Sequence, residues 1–316
     1  MGVKKSELAL LEGAIRVYKW EREESGGVPA SVRGVLQLVH GSCEHAQRYD
    51  RFACYLAEQG WIVYASDLRG HGQSIPQEDL GYFGETGGWD GMVDELHEVR
   101  TFIGNRHPGL KVVLFGHSMG SFLARHYAIV HGSGLSGLIL SGTAHYVRAS
   151  LKLGKLLAQR EIRRKGIRHR SATLYNLTYR TFNKRFRPNR TAQDWLSRDE
   201  AEVDRFLQDE RCGFVFTSGG FRDMFEGLLF MTDKKHIAMT PKELPVLFLS
   251  GKDDPVGNFG TTVRQAYSLY RAAGMTNVTL KLYEGMRHEL LNELGREEVY
   301  RDIVAWLEGE WPVEPK

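Results

Sequence analysis

The sequence predicts an α/β fold: a mostly parallel, eight-stranded sheet flanked by helices, with one long helical insertion. Three observations predict it. Short apolar or β-branched runs alternate with stretches whose apolar residues recur about every 3.6 positions, the pattern of strand–helix–strand units. Most of the runs are continuously apolar instead of alternating, as in strands buried on both faces. The alternation then stops between Gly142 and Pro241, where about a hundred residues rich in Arg and aromatics intervene.

The predicted strands are Leu8–Leu11, Ile15–Trp20, Val35–Val39, Trp61–Ala65, Val112–Phe115, Leu138–Leu140, Val246–Leu249 and Val278–Tyr283. The first two turn at Glu12-Gly13 and read as a β-hairpin. Between the others, Ala46–Gln59, Met92–Arg106, Phe122–His131, Val263–Ala273 and Arg296–Glu308 carry the helical period. A structureless loop of a hundred residues inside a domain is implausible. Residues 142–240 are therefore expected to be a helical cap lying over the strand ends, with helices over Leu151–Arg164 and Asp199–Gln208. Residues 1–141 and 241–316 are expected to form the core.

The bulk composition is that of an ordinary globular chain. Of 316 residues, 42% are hydrophobic and 26% charged, with a formal net charge of +3. Three cysteines, Cys43, Cys54 and Cys212, are an odd number without C-x-x-C spacing. That argues against a disulfide framework and fits a reducing, cytoplasmic setting. No apolar window is long enough to span a bilayer. The charge is unevenly placed: residues 148–190 hold 14 Lys/Arg against one acid, Glu161. Such a block is either a solvated face or a footprint for an anionic partner. It carries no nucleic-acid-binding motif, so no nucleic-acid partner is expected. Leu151, Leu153, Leu156, Leu157 and Ile162 interleave with Lys152, Lys155, Arg163 and Arg164 as in a basic amphipathic helix. An anionic membrane surface is the partner that pattern suggests.

Chemistry concentrates at Gly116-His-Ser-Met-Gly120. Ser118 follows a predicted strand and precedes a predicted helix. That context lets a serine sit on a sharp turn, with its hydroxyl exposed and the next amide, of Met119, free. A serine hydroxyl needs a base. In this architecture an acid and then a histidine are expected past later strands, in that order. "GKDDPV" (251–256) places Asp253 and Asp254 after one strand, and "YEGMRHELLNE" (283–293) places His288 after the last. "HGSCEHAQRY" (40–49) puts a His-Gly turn where a second oxyanion amide is needed. His40 and His45 lack a third ligand at metal-binding spacing, so neither a metal nor a cofactor is expected.

Together with "SDLRGHGQS" (66–74), these five ordered motifs resemble the α/β-hydrolase superfamily. Within it they resemble the monoacylglycerol lipase and lysophospholipase branch, which overlaps the serine aminopeptidase grouping. The resemblance covers both flanks and fades in the cap. It implies Ser118 as nucleophile, His288 as base and Asp254, in preference to Asp253, as acid. The amides of Ser42 and Met119 are implied as oxyanion donors, and Gly70, His71 and Gly72 as a structural turn. Cys43 departs from the pattern, because relatives often have glycine there.

The expected function is that of a serine hydrolase cleaving a carboxylic ester through an acyl-enzyme, with a single-acyl-chain lipid as substrate. The same residues would serve a thioesterase or an aminopeptidase, and the fold also hosts non-catalytic ligand binders. An aminopeptidase needs cap acids to hold the substrate amine. Asp199, Glu200, Glu202, Asp204, Asp209 and Glu210 leave that open, and the cap aromatics are equally compatible with an acyl tunnel and with a plain cap core.

Overall fold

The computed structural model describes residues 2–23 and 32–310. Its eight strands are β1 (Val3–Leu10), β2 (Ile15–Arg22), β3 (Gly34–Val39), β4 (Trp61–Ser66), β5 (Val112–His117), β6 (Gly137–Ser141), β7 (Val246–Gly251) and β8 (Val278–Tyr283). They form one sheet in the order β1-β2-β4-β3-β5-β6-β7-β8. The β1–β2 and β2–β4 pairs are antiparallel, and all others are parallel.

Every predicted strand is present. β1 begins five residues before its predicted start because its first half, Val-Lys-Lys-Ser-Glu, has no apolar period. It is an edge strand paired only to β2, and its charged, exposed side chains suit an edge that must not recruit another chain. From β3 to β7 every strand residue is buried. One face of the sheet is covered by α1 (Asp50–Glu58) and α10 (Arg296–Glu308). There Phe52, Leu56, Tyr300 and Ile303 meet Leu36, Leu38, Phe115 and Leu247. The other face carries α2 (Gly88–Arg106), α3 (Met119–His131) and α9 (Thr261–Ala272), packing Met92, Leu123 and Tyr270 on Leu114, Leu138 and Phe248.

The predicted helix over Ala46–Gln59 is divided into a 3₁₀ turn, Ala46–Tyr49, and α1. The Ala46 amide donates to Asp67 Oδ1 (2.9 Å) and the Tyr49 hydroxyl to Glu44 Oε1 (2.7 Å), and these tertiary bonds hold the first turn out of α-geometry. Between β6 and β7 lie α4 (Arg148–Lys165), α5 (Ala172–Tyr179), α6 (Glu200–Gln208), α7 (Ser218–Met231) and α8 (Lys234–Ile237). α4 and α6 match the two helices expected there. Asp199 caps α6, its carboxylate accepting from the Ala201 amide. α7 has no clear signal in the sequence. It packs on α2, α3 and α4 and buries Phe221, Met224, Phe225 and Leu228, so it lacks a polar face to create a period. Gly219, Gly220 and Gly227 also lower its intrinsic helix propensity. A Cβ at Gly227 would lie 2.0 Å from the Trp89 ring, so glycine is what lets α7 reach α2.

The order of strands reverses at β3, which has β4 on one side and β5 on the other. Loops leaving β3 and β5 at their carboxyl ends therefore diverge and open a crevice between them, the usual ligand position in open α/β sheets. Gly120 closes the base of that crevice. A Cβ there would lie 2.3 Å from the Val39 carbonyl oxygen and 2.4 Å from that of His40, both rigid backbone atoms. Gly120→Ala is therefore expected to destabilise the fold by about 1–3 kcal/mol, visible as a lower midpoint in thermal unfolding. An unchanged midpoint would mean that the β3 loop is not pressed against α3 as described.

Candidate active site

Ser118 connects β5 to α3 with φ 51° and ψ −121°, a backbone conformation that is strained for any residue with a side chain. The turn survives because its surroundings hold it. The Ser118 amide donates to the Ser141 carbonyl (2.9 Å), and a Cβ at Gly116 would collide with the Gly120 carbonyl oxygen at 2.4 Å. The reward of this geometry is a hydroxyl lifted to the mouth of the crevice. The Met119 amide at the start of α3 donates to no acceptor among the described residues, and neither does the Ser42 amide in the loop after β3.

The structure brings three of the expected residues into one line. His288 Nε2 lies 2.9 Å from Ser118 Oγ, and His288 Nδ1 lies 3.0 Å from Asp254 Oδ2. His288 and Asp254 are almost wholly buried, 1% and 0% exposed, whereas Asp253 faces solvent and its amide serves the Met286 carbonyl. Asp254 is further held by the Val256 amide, which donates to Oδ1 at 2.8 Å. Burial by itself pushes the His288 imidazole towards its neutral form. The Asp254 carboxylate overrides this and raises the pKa above the ordinary histidine value. The neighbouring His117 ring, 4.7 Å away, is instead lowered to about 4 by burial and by His288.

The turn at Gly70–Gly72 lies apart from this line. His71 is fully buried, its Nδ1 against the Arg69 carbonyl, and it packs on His40, Phe83 and Phe216. His40 accepts from the Leu68 amide through Nε2, so both rings brace loops. Burial lowers each of them to about 3. Cys43 occupies the left-handed region, φ 56°, where glycine would be unstrained. Its thiol is buried, and burial pushes it away from the reactive thiolate.

One part of the site is absent from the sequence-based account. Arg48 is buried and makes a bidentate pair with Glu289 (2.7 and 2.8 Å) and a third bond to Glu44 Oε2 (2.6 Å). Glu44 in turn accepts from the Gly41 amide (2.5 Å) and the Tyr49 hydroxyl. This ionic network ties the loop carrying Ser42 to the residue that follows His288. Burial opposes ionisation of Glu289, but Arg48 overrides it and holds the carboxyl below its usual range. The i,i+4 spacing of Glu44 and Arg48 was a legible signal; the link from Arg48 to Glu289, 241 positions later, was not.

Ser118 and His288 open onto a pocket walled by Ser42, Tyr175, Tyr179, Trp195, Phe206 and Phe214. The aromatic residues of the insertion thus divide. Tyr175, Tyr179 and Phe214 face the pocket, while Phe216, Phe221 and Phe225 are buried in the core.

Comparison with known proteins agrees with this architecture. The family described as "Serine aminopeptidase, S33" matches residues 30–295. Monoacylglycerol lipase of Mycolicibacterium smegmatis is 28% identical over 291 residues, covering 87% of this chain and 88% of that protein. Monoglyceride lipase of Rattus norvegicus is 28% identical over 288 residues, covering 87% and 82%. A thermostable carboxyl esterase from Bacillus coagulans, solved in complex with glycerol, superposes with a TM-score of 0.86 at 28% identity, covering 98% of this chain and 99% of that one. With a family match that spans most of its length and a solved esterase that superposes over nearly all of it, the chain belongs to the serine aminopeptidase S33 family and is a hydrolase of the α/β-hydrolase fold.

Proposed function

We propose that the protein hydrolyses carboxylic esters of single-acyl-chain lipids, monoacylglycerols or lysophospholipids, through an acyl-enzyme on Ser118. The observation that carries this reading is the unbroken chain Ser118 Oγ–His288–Asp254 at 2.9 and 3.0 Å, set on the strained turn beside two free amides. His288 Nε2 takes the hydroxyl proton as Oγ attacks the ester carbonyl. Asp254 accepts from Nδ1–H and stabilises the imidazolium. The Ser42 and Met119 amides meet the developing oxyanion. The imidazolium then protonates the departing alkoxide, and water, activated by the same ring, releases the acid and restores Ser118.

The substrate class rests on the relatives, which are named monoacylglycerol lipases, and on the apolar wall of Tyr175, Tyr179, Trp195, Phe206 and Phe214 beside the serine. Residues 142–240 are read as the cap that supplies most of this wall. An aminopeptidase is disfavoured by the acids of the insertion, none of which lines the pocket. Asp199 pairs with Arg296, Glu200 and Asp204 with Arg190, Glu202 with Arg51 and Asp209 with His45, and Glu210 bonds Gln77. The pocket's own carboxylates, Glu44 and Glu289, are committed to Arg48. No free acid remains there for a substrate amine.

The basic block splits in a way that bears on an interfacial role. Arg148, Lys155, Arg168 and Arg190 pair with Asp233, Glu226, Asp79 and Asp204. Lys152, Arg160, Arg163 and Arg164 have no acidic partner among the described residues and share the exposed side of α4 with Leu153 and Leu156, 54% and 60% exposed. We read this face as the one that meets an anionic lipid surface, with each cation contributing about 1 kcal/mol near the membrane.

Three outcomes are expected. A fluorophosphonate should label one serine, and Ser118→Ala should abolish the labelling. Ser118→Ala and His288→Ala should each lower kcat by about 10³-fold or more, with little further loss in the double variant. Asp254→Asn should remove most activity in a folded protein, whereas Asp253→Asn should cost little; a reversed order would assign the acid to the wrong residue. The second outcome concerns pH. The base must be neutral, and Asp254 raises its pKa, so kcat/KM should climb with pH along a limb whose midpoint lies above the usual histidine value near 6.5. A profile flat from pH 5 to 9 (about the range in which histidines titrate) would rule out His288 as base. Third, the protein should bind vesicles containing anionic lipid at low salt and release them by a few tenths molar. Replacing Arg160, Arg163 and Arg164 by Gln should weaken binding while hydrolysis of a short, dispersed ester is retained. Equal binding to neutral vesicles would leave the block a solvated face.

A further inference from the structure

We propose that His45, Asp209 and Cys212 form a zinc site that clips the end of α6 to the loop following β3. By sequence alone His45 had no partners of metal-binding type. Folding supplies two from a segment 164 positions away. His45 Nε2 lies 2.8 Å from Asp209 Oδ2, and the ligand atoms of all three residues, Cys212 Sγ included, lie within 4.8 Å of one another. Among the described residues this is the one place where three side chains of ligand type converge so closely.

The backbone that carries them is already set. The Cys212 amide donates to the Asp209 carbonyl (2.9 Å), and the Arg211 amide donates to Asp209 Oδ1 (2.8 Å), which closes a tight turn. The Gly213 amide donates to the Cys43 carbonyl (2.9 Å), locking that turn against the loop that carries His45. Ligands of a tetrahedral zinc at bond lengths of about 2.0–2.3 Å sit about 3.3–3.8 Å apart. The His45–Asp209 contact would open by about half an ångström, and the widest separation would close by about one. Both shifts are within the reach of side-chain rotation. One imidazole nitrogen, one thiolate and one carboxylate oxygen form a mixed donor set of borderline softness, which suits zinc better than magnesium or calcium. Asp209 is the exposed member, its side chain 35% accessible, so an ion has a way in and a water can take the fourth position.

Local charge favours a dication. The Arg48 guanidinium, whose charge acts on both Asp209 and Cys212, is engaged by both Glu44 and Glu289. Arg211, between the two ligands in sequence, turns its guanidinium to the Gly72 carbonyl, and around Arg48 three carboxylates, with Asp209, offset one positive charge. On binding, the Cys212 thiol gives its proton to solvent, and the imidazole carries its hydrogen on Nδ1, leaving Nε2 for the metal. Neither Asp209 nor Cys212 lines the pocket beside Ser118, but their neighbours Gly213 and Cys43 do. Zinc would therefore pin one edge of the pocket without touching the reacting atoms.

The test uses the full chain, stripped with a chelator and titrated with Zn²⁺ by calorimetry and with Co²⁺ by absorption. One ion per chain should bind. Cobalt should give the thiolate-to-metal charge-transfer band and the intense visible bands of a four-coordinate site. Zinc should raise the thermal midpoint, because it binds the folded state alone. Cys212→Ser should abolish the charge-transfer band and weaken zinc at least tenfold, while Cys54→Ser should change neither. If Cys212→Ser folds poorly, Asp209→Asn, which removes no buried apolar contact and keeps the thiolate, should weaken zinc at least tenfold, and an unchanged affinity would equally overturn the proposal. Absence of a thiolate band in the wild-type chain, or a band that survives Cys212→Ser, overturns the proposal. Ser118→Ala should bind zinc as the wild type does, which separates this site from the hydrolytic one and from metal capture by His288.

Discussion

The backbone turn at Ser118 is the constraint on which the rest of the site depends. A residue with a side chain is held at φ 51°, ψ −121° between a buried parallel strand and a helix that starts immediately. Such a conformation costs on the order of 1–3 kcal/mol and persists only where its neighbours leave no alternative. Here the neighbours are backbone atoms. Gly116 and Gly120 bring β5, α3 and the β3 loop so close that no Cβ fits at either position. The same closeness brings the loop that carries Ser42 up to Ser118, both of which line one pocket. Ser118 and the unpaired amide that follows it are thus positioned by one steric arrangement, beside the point where the strand order reverses.

A second constraint joins loops that the sheet alone does not. β8 lies four strands from β3 in the sheet order, yet the loops following them must present His288 and Ser42 to the same atom. Arg48 bridges them by bonding Glu289 and Glu44 together. Removing one member of a buried ion pair usually costs about 3–5 kcal/mol, because the remaining charge has no counterpart. The network therefore resists displacement of either loop. It also commits the pocket's own carboxylates, which leaves a wall made largely of aromatic rings beside Ser118 and His288.

The insertion between β6 and β7 is continuous with the core. α7 places Phe221, Phe225 and Leu228 in the same apolar cluster as Trp89, Met92 and Leu123 of α2 and α3. Its aromatic residues divide between this shared core and the pocket wall, so the wall and the core are continuous. On its outer side α4 keeps unpaired cations next to exposed leucines. Among the described residues no helix is long and apolar enough to cross a membrane.

The sequence by itself determined the parallel sheet, because fully buried strands must be continuously apolar and their covering helices must be periodic. It determined the serine turn, because two glycines between such a strand and such a helix permit the close backbone approach that the turn requires. It also determined the order of acid and histidine, since each follows a strand directly. Polar β1 was only half legible, and α7 was not legible at all, because an edge strand needs no apolar period and a helix packed against three others keeps only a narrow outer stripe at Arg222 and Glu226. Between two adjacent aspartates the residues alone left the choice open and the resemblance favoured Asp254; the tertiary structure buries Asp254 against His288 and leaves Asp253 in water. It alone decided the bridge from Arg48 to Glu289 and the meeting of His45 with Asp209 and Cys212. The physical reason is the same for all three. Local pattern reports burial and backbone conformation, which short stretches of chain settle for themselves, whereas the partner of a buried charge or ligand is chosen by where the sheet brings distant loops together.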